Sequence, residues 1–213
     1  MKILVTGFEP FGGETVNPAL KIAQGLPRQI AGSQIVSYEI PCVFGQSIRT
    51  LVQAMEAEKP DIVLCLGQAG GRSAICPERV ALNLSDARIP DNAGVQPIDQ
   101  PIAPDGETAY FSNLPVKAMA QAVRQAGVPA QVSNTAGAYV CNHLMYGLLY
   151  HIHKRFPQTR GGFIHVPYLT EQVVDKPNTP SLSLEQMLRA VCAALEACVL
   201  HTQDLHAVEG AEH

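Results

Sequence analysis

Charge is scarce in this chain: 16% of its 213 residues are Asp, Glu, Lys or Arg, against 46% that are hydrophobic. That balance excludes a disordered chain and leaves ample material for a core. There is no basic run and the net charge is −4, which excludes electrostatic capture of nucleic acid or of an anionic membrane. No stretch approaches the roughly 20 apolar residues that cross a bilayer. The opening run from Met1 to Gly7 is too short for the apolar core of a secretory signal, so a cytoplasmic location is expected. The six cysteines (42, 65, 76, 141, 192 and 198) form no CxxC pair. They are expected as free thiols, most of them small buried hydrophobes. No Cys/His spacing fits a metal site, and no metal or other cofactor is expected. Internal repeats and low-complexity tracts are absent as well.

What is present suits one α/β domain. Strands are expected at Ile3–Thr6, Ile35–Ile40, Ile62–Leu66, Val80–Leu84, Gln131–Ser133 and Phe163–Val166, each short and rich in aliphatic or β-branched residues. Helical spacing appears between them. Ile48, Leu51, Val52 and Met55 form one stripe closed by Pro60. Asn17-Pro18 reads as a helix N-cap with proline at the first position, and Ser183 with Gln186 as a capping box. The capping box opens a stripe of Met187, Val191, Leu195 and Cys198. The alternation predicts a three-layer α/β/α domain over residues 1–201, with an open, twisted, mostly parallel but mixed sheet. Residues 202–213 read as a polar, fraying tail. Asp86–Thr108 holds four prolines, two glycines and five acidic residues. Such a loop inside a compact domain is usually functional.

Open α/β sheets place sites where strand ends meet helix N-termini, and three junctions qualify. After Ser133 a small-residue turn leads into a helix carrying Val140, Leu144, Leu148 and Ile152. Cys141 falls in its first turn, where the dipole and free N–H groups favour a thiolate and can hold an oxyanion. A buried core cysteine is an equal reading. His165 ends the strand Phe163–Val166, a good place for a general base. His151 and His153 lie too far along the helix from Cys141, and His143 points to another helix face. His201, His206 and His213 belong to the exposed end. His165 is thus the best partner by elimination, and a satisfied core histidine is an equal reading. The third junction is Gly67-Gln68-Ala69-Gly70-Gly71-Arg72 followed by Pro77-Glu78-Arg79-Val80. Its glycines permit close backbone approach, and Glu78 can orient a histidine or simply be a salt-bridged glutamate.

Six ordered motifs carry a resemblance: GFEPFGG at Gly7–Gly13, GQAGGR at Gly67–Arg72, PERVALN at Pro77–Asn83, DARIPDN at Asp86–Asn92, SNTAGAYVCN at Ser133–Asn142 and FIHVPY at Phe163–Tyr168. Together they resemble the pyroglutamyl peptidase I (pyrrolidone-carboxylate peptidase) family of cysteine peptidases, from the first strand to about Leu169. The resemblance implies a Cys141–His165–Glu78 triad and a thioester intermediate. It also implies an arginine near the site at Arg88 and a substrate pocket drawn from Phe8, Phe11, Gln68, Tyr139 and Val140. It further implies an intracellular, metal-free enzyme, often a homotetramer, acting on peptides with N-terminal pyroglutamate. Cys76 departs from the pattern, since Thr or Ser usually precedes the Pro-Glu pair. A second thiol there is a candidate for oxidation sensitivity.

The chemistry agrees with that substrate. Pyroglutamate has sealed its amine into a lactam, so its pocket needs no carboxylate or metal to meet an ammonium. Phe8 and Phe11 can sandwich the flat ring, although without the motif plain core packing is the favoured reading of both phenylalanines. Two rival readings exist. A non-catalytic small-molecule-binding domain would tolerate loss of Cys141. A glutamine amidotransferase would flank its nucleophile with glycines, which Tyr139-Val140-Cys141-Asn142 lacks.

Overall fold

Three strands of this chain are buried along nearly their whole length, the pattern of a sheet covered on both faces. In the computed structural model, which describes residues 1–210, they are the first, fourth and eighth strands. The elements run β1 (Lys2–Phe8), α1 (Pro18–Gly25), β2 (Gln29–Ile30), β3 (Ser33–Ile40), α2 (Gln46–Glu58), β4 (Ile62–Gln68), β5 (Cys76–Glu78), β6 (Val80–Leu82) and β7 (Ala109–Phe111). Then follow α3 (Val116–Gln125), α4 (Val140–Arg155), β8 (Arg160–Val166), β9 (Tyr168–Leu169), a 3₁₀ turn at Thr170–Val173, β10 (Ser181–Leu182) and α5 (Leu184–Leu200).

The main sheet has the order β2-β3-β1-β4-β8-β5. Its four inner strands are parallel, and both edge strands run antiparallel. The expected mixed, mostly parallel sheet is therefore present. Successive side chains alternate faces. Ile3, Val5, Ile62, Leu64, Leu66, Ile164 and Val166 enter the cluster beneath α1, α3 and α5. Leu4, Phe8, Val63, Cys65 and Phe163 enter the opposite one, beneath α2 and α4. This completes the three layers.

Local chemistry sets the helix starts. Asn17 caps α1 by accepting from the Ala19 N–H at 3.0 Å, and Pro18 occupies the first helical position. Ser183 and Gln186 form the expected capping box on α5. Lys59 ends α2 in the left-handed conformation, just before Pro60. Gly7 lacks a side chain for a steric reason: a Cβ there would lie 2.5 Å from the Ala19 carbonyl oxygen, so only glycine lets α1 approach the end of β1.

Two expected strands take other roles. Val80–Leu82 pairs with Ala109–Phe111 in a separate two-stranded ribbon. Gln131–Ser133 makes only isolated parallel bridges alongside β5, with Ser133 N donating to Pro77 O and Arg79 N to Ser133 O. Sequence reading also passes over β5 and α3. β5 has three residues, one of them proline, and takes its strand character from pairing with β8.

The Asp86–Thr108 loop is ordered by its own polar groups. The Asp91 carboxylate accepts from the N–H groups of Phe44, Ala93 and Val95. Asn92 donates to Glu9 Oε1 and to the Pro10 carbonyl, which ties the loop to the segment after β1. Beyond α5, Asp204 accepts from the N–H groups of Lys117 and Ala118 at the start of α3. Glu209 pairs with Arg124. Residues 211–213, and with them His213, lie outside the described residues. No helix among the described residues is long and apolar enough to cross a membrane.

Asn17 has a second duty, donating to the Glu9 carbonyl at 3.0 Å while only 2% exposed. Asn17→Ala is expected to cost about 1–2 kcal/mol in urea unfolding, whereas Asn17→Asp keeps the cap and loses less. A midpoint unmoved by Asn17→Ala would remove the cap from the account of α1.

Candidate active site

The register of three neighbouring strands decides which side chains meet. Strand alternation puts His165 on the same face as Phe163, toward α4. In β5, Cys76 stands opposite His165 and Glu78 opposite Phe163; directly paired residues share a face, so Glu78 also points toward α4. One step diagonally across the pair, Glu78 Oε1 lies 2.7 Å from His165 Nδ1. On the other side of β8, Gly67 is paired with His165. A Cβ on Gly67 would come within 2.9 Å of Cys141 Sγ and 2.6 Å of the Phe163 ring. The glycine therefore makes room for the sulfur beside the histidine strand.

Cys141 enters from the first turn of α4, whose N-cap residue Tyr139 makes no side-chain cap. Cys141 and His165 both line one crevice of about 490 Å³, together with Phe11, Gln68, Arg88 and Tyr139. Glu78 stands behind, fully buried. Its Oε1 also accepts from Arg72 Nη1 at 2.7 Å, while Arg72 Nη2 donates to the Thr135 carbonyl at 3.0 Å. Oε2 is buried and meets no donor among the described residues.

Burial sets the protonation states. It pushes the Cys141 thiol well above its ordinary range, with the neighbouring Cys42 and Glu78 adding to the effect and Arg72 opposing it. Water exclusion therefore opposes the thiolate that a helix start favours. Burial also lowers His165, against the raising influence of Glu78. Both shifts favour the uncharged forms, thiol and neutral imidazole.

Of the residues expected around a substrate, the structure gathers most but not all on the wall. Phe11 and Tyr139 face the crevice with ring centroids 6.1 Å apart. Arg88 is exposed there, and Gln68 lies at the end of β4. Phe8 is 1% exposed and packs on Phe163, and Val140 is fully buried in the core. These two back the wall rather than form it: at the end of β1 the alternation turns Phe8 into the α4 layer. Cys76 is buried, its thiol raised chiefly by burial and its Sγ 3.4 Å from the Ala74 carbonyl.

Sequence reading missed several members. Glu14, Asp86 and Tyr168 also line the crevice. Gln172, on the 3₁₀ turn, accepts from the Leu169 N–H through Oε1 and donates through Nε2 to Gln68 Oε1 at 3.0 Å and to Glu14. Lys176 pairs with Glu14 as well. Tyr168 was visible as the last residue of the FIHVPY motif. Nothing local in the sequence marks Gln172. Among the described residues, no cluster of three or more His, Cys, Asp or Glu is placed to hold a metal ion.

Known proteins share this arrangement of chain. A family model described as pyroglutamyl peptidase matches residues 1–201. Pyrrolidone-carboxylate peptidase of Lactobacillus johnsonii is 56% identical over 215 aligned positions, covering 100% of both chains. The protein of that name from Levilactobacillus brevis is 57% identical over 96% of this chain and 100% of its own. Among solved structures, pyroglutamyl peptidase I of Bacillus amyloliquefaciens superposes with a TM-score of 0.93 at 47% identity, over 96% of this chain and 99% of that one. A variant pyrrolidone carboxyl peptidase from Pyrococcus furiosus gives 0.91 at 46% identity, over 94% and 99%.

His143, two residues beyond Cys141, serves the frame instead. Its Nε2 accepts from the Gly45 N–H at 2.9 Å and its Nδ1 lies 3.1 Å from Ser85 Oγ. Burial pushes it down to about 4 from an ordinary 6.5. The unfolded chain then binds the extra proton first as pH falls. Its stabilisation is complete above pH 6.5 and drains away toward pH 4. Urea stability is expected to drop by about 1–2 kcal/mol between pH 7 and pH 5, and His143→Gln should flatten that slope. An equal slope in the variant assigns the loss to another group.

Proposed function

Because this chain belongs to the pyroglutamyl peptidase family of cysteine-type hydrolases, we propose that it removes N-terminal pyroglutamate from peptides by a Cys141–His165–Glu78 mechanism. The observation that carries this reading is the 2.7 Å contact of Glu78 with His165 Nδ1, behind a crevice that His165 shares with Cys141. With Nδ1–H donated to a carboxylate, Nε2 keeps the lone pair and is the base.

Burial favours the thiol form, so in this reading sulfur attack is coupled to proton transfer to His165. The sulfur forms its bond to the pyroglutamyl carbonyl carbon as the proton passes to Nε2. The uncapped first turn of α4 offers backbone N–H groups to the oxyanion, and Arg88 at the crevice adds positive charge nearby. His165 returns the proton to the leaving amine, whose C–N bond breaks to leave a thioester. It then takes a proton from water, which attacks that thioester and restores the thiol. Glu78 stabilises the imidazolium in both halves without itself taking the proton.

The wall suits a neutral ring. Phe11 and Tyr139 offer aromatic faces, and Gln68 supplies amide groups for a lactam. Proline lacks the ring carbonyl and carries a charged nitrogen, so unpaired polar groups reject it. The same family membership is the ground for proposing one catalytic domain over residues 1–201 and a cytoplasmic homotetramer. Sedimentation at four times 22.9 kDa tests the assembly.

The first test is release of a chromogenic amine from its pyroglutamyl amide but not from its prolyl amide. Cys141→Ala should abolish turnover in a folded protein, and iodoacetamide should inactivate the native one; full activity in Cys141→Ala would sink the reading. Glu78→Gln should lower kcat by roughly 10- to 10⁴-fold with a smaller change in KM. For the pocket, Phe11→Ala should raise KM while leaving Cys141 alkylation nearly unchanged. A melting curve separates that result from collapse of the wall.

A further inference from the structure

We infer that Arg72 is a positioning residue of this site, which aims the buried Glu78 carboxylate at His165 and fixes it to the loop that delivers Cys141. The inference rests on the triad reading above and adds a member that acts only through Glu78.

Three observations carry it. Glu78 has no exposed surface and the Arg72 side chain is 26% exposed. This is therefore a buried carboxylate reached from the solvent side by a cation, not a surface pair of little worth. Arg72 Nη1 and His165 Nδ1 both meet the same oxygen, Oε1, at 2.7 Å, whereas Oε2 meets no donor among the described residues. A buried carboxylate needs a compensating charge beside it as well as hydrogen bonds, and the guanidinium supplies that charge. Finally, Arg72 Nη2 reaches the Thr135 carbonyl, which also accepts from Ser133 Oγ. Thr135 lies six residues before Cys141. One planar fork thus ties the turn after β4, the carboxylate on β5 and the approach to α4, a geometry that a lysine point charge does not reproduce.

The sharing of Oε1 has a chemical consequence. The carboxylate must favour the imidazolium enough for His165 to accept the thiol proton, yet release it to the leaving amine. Arg72 draws on the same oxygen and tempers that attraction, and its charge lowers both His165 and Cys141. Other titratable groups stand near the pair: Cys76 on β5, Cys42 and Cys65 beyond Cys141, and Glu14, Asp86, Arg88, Tyr139 and Tyr168 along the crevice. Of these only Arg88 is a cation, and it is exposed.

The test compares Arg72→Met with Arg72→Lys in the full chain. With the guanidinium gone, its lowering influence on His165 goes too. The acid limb of kcat/KM for a pyroglutamyl amide should move up by about one pH unit or more in Arg72→Met, with kcat down by roughly 10- to 100-fold and KM changed less. Arg72→Lys keeps the charge and loses the fork, so its limb should stay near the wild type while kcat falls in part. The pH dependence of Cys141 alkylation, followed by mass on that residue, should shift in the same order. An acid limb in Arg72→Met that coincides with the wild type overturns the inference, as does an equal shift in Arg72→Lys; both outcomes describe a brace and not a charge. If Arg72→Met does not fold, Arg72→Gln replaces it; if neither folds, a displaced limb in Arg72→Lys overturns the inference and an unmoved one supports it. A wild-type protein that releases no amine defeats the peptidase reading alone, and the alkylation profiles still decide the role of Arg72.

Discussion

A carboxylate with no exposed surface governs this molecule. Glu78 sits on a three-residue edge strand, takes a histidine and an arginine on one oxygen, and leaves the other without a donor among the described residues. Burying a charge costs far more than packing an apolar group in its place, unless its partners are fixed before it arrives. Much of the surrounding architecture does that fixing. β5 lies antiparallel on β8, so the glutamate and the histidine share a face by register. The 129–133 segment lies along the other side of β5 and holds it through backbone bonds.

Close approach on the other side of β8 follows from a missing side chain. Gly67 at the end of β4 leaves the space that Cys141 Sγ and the Phe163 ring occupy. One methyl group at that point meets sulfur and aromatic carbon well inside contact distance, and a packed interior transmits such a shift instead of absorbing it. The sulfur is thus located by the strand that carries no side chain as much as by the helix that carries the thiol. The same dryness that orders the site raises the thiol and lowers the imidazole, and both shifts favour the uncharged forms.

Much of this was legible in the sequence, for local reasons. Cys141 stands out because a strand end, a small-residue turn and a four-residue apolar spacing surround it, and the structure places it in the first turn of α4. The caps at Asn17 and Ser183 are chemistry within three residues, and both formed. Legibility failed where pairing was remote. β5 has no strand character until β8, more than eighty residues later, lies beside it. Val80–Leu84 has the composition of a sheet strand yet pairs with Ala109–Phe111. Phe8 and Phe11 look alike in the sequence, but strand parity buries the first and the turn beyond β1 frees the second for the crevice. A helix start is visible in a sequence, whereas the depth of water exclusion around its thiol is not.

The late arrival of β8 bears on when the protein becomes active. Cys141, Glu78 and Gly67 precede it in the chain, and the histidine comes with it. Closing contacts so distant in sequence is the slow part of building such a sheet. On the mechanism proposed above, a nascent chain that has emitted its thiol but not yet β8 lacks His165, the base assigned to that thiol. A chain with β8 undocked leaves Glu78 with no imidazole to orient. On that mechanism, catalytic competence reports that the antiparallel edge pairing of β5 with β8 has formed.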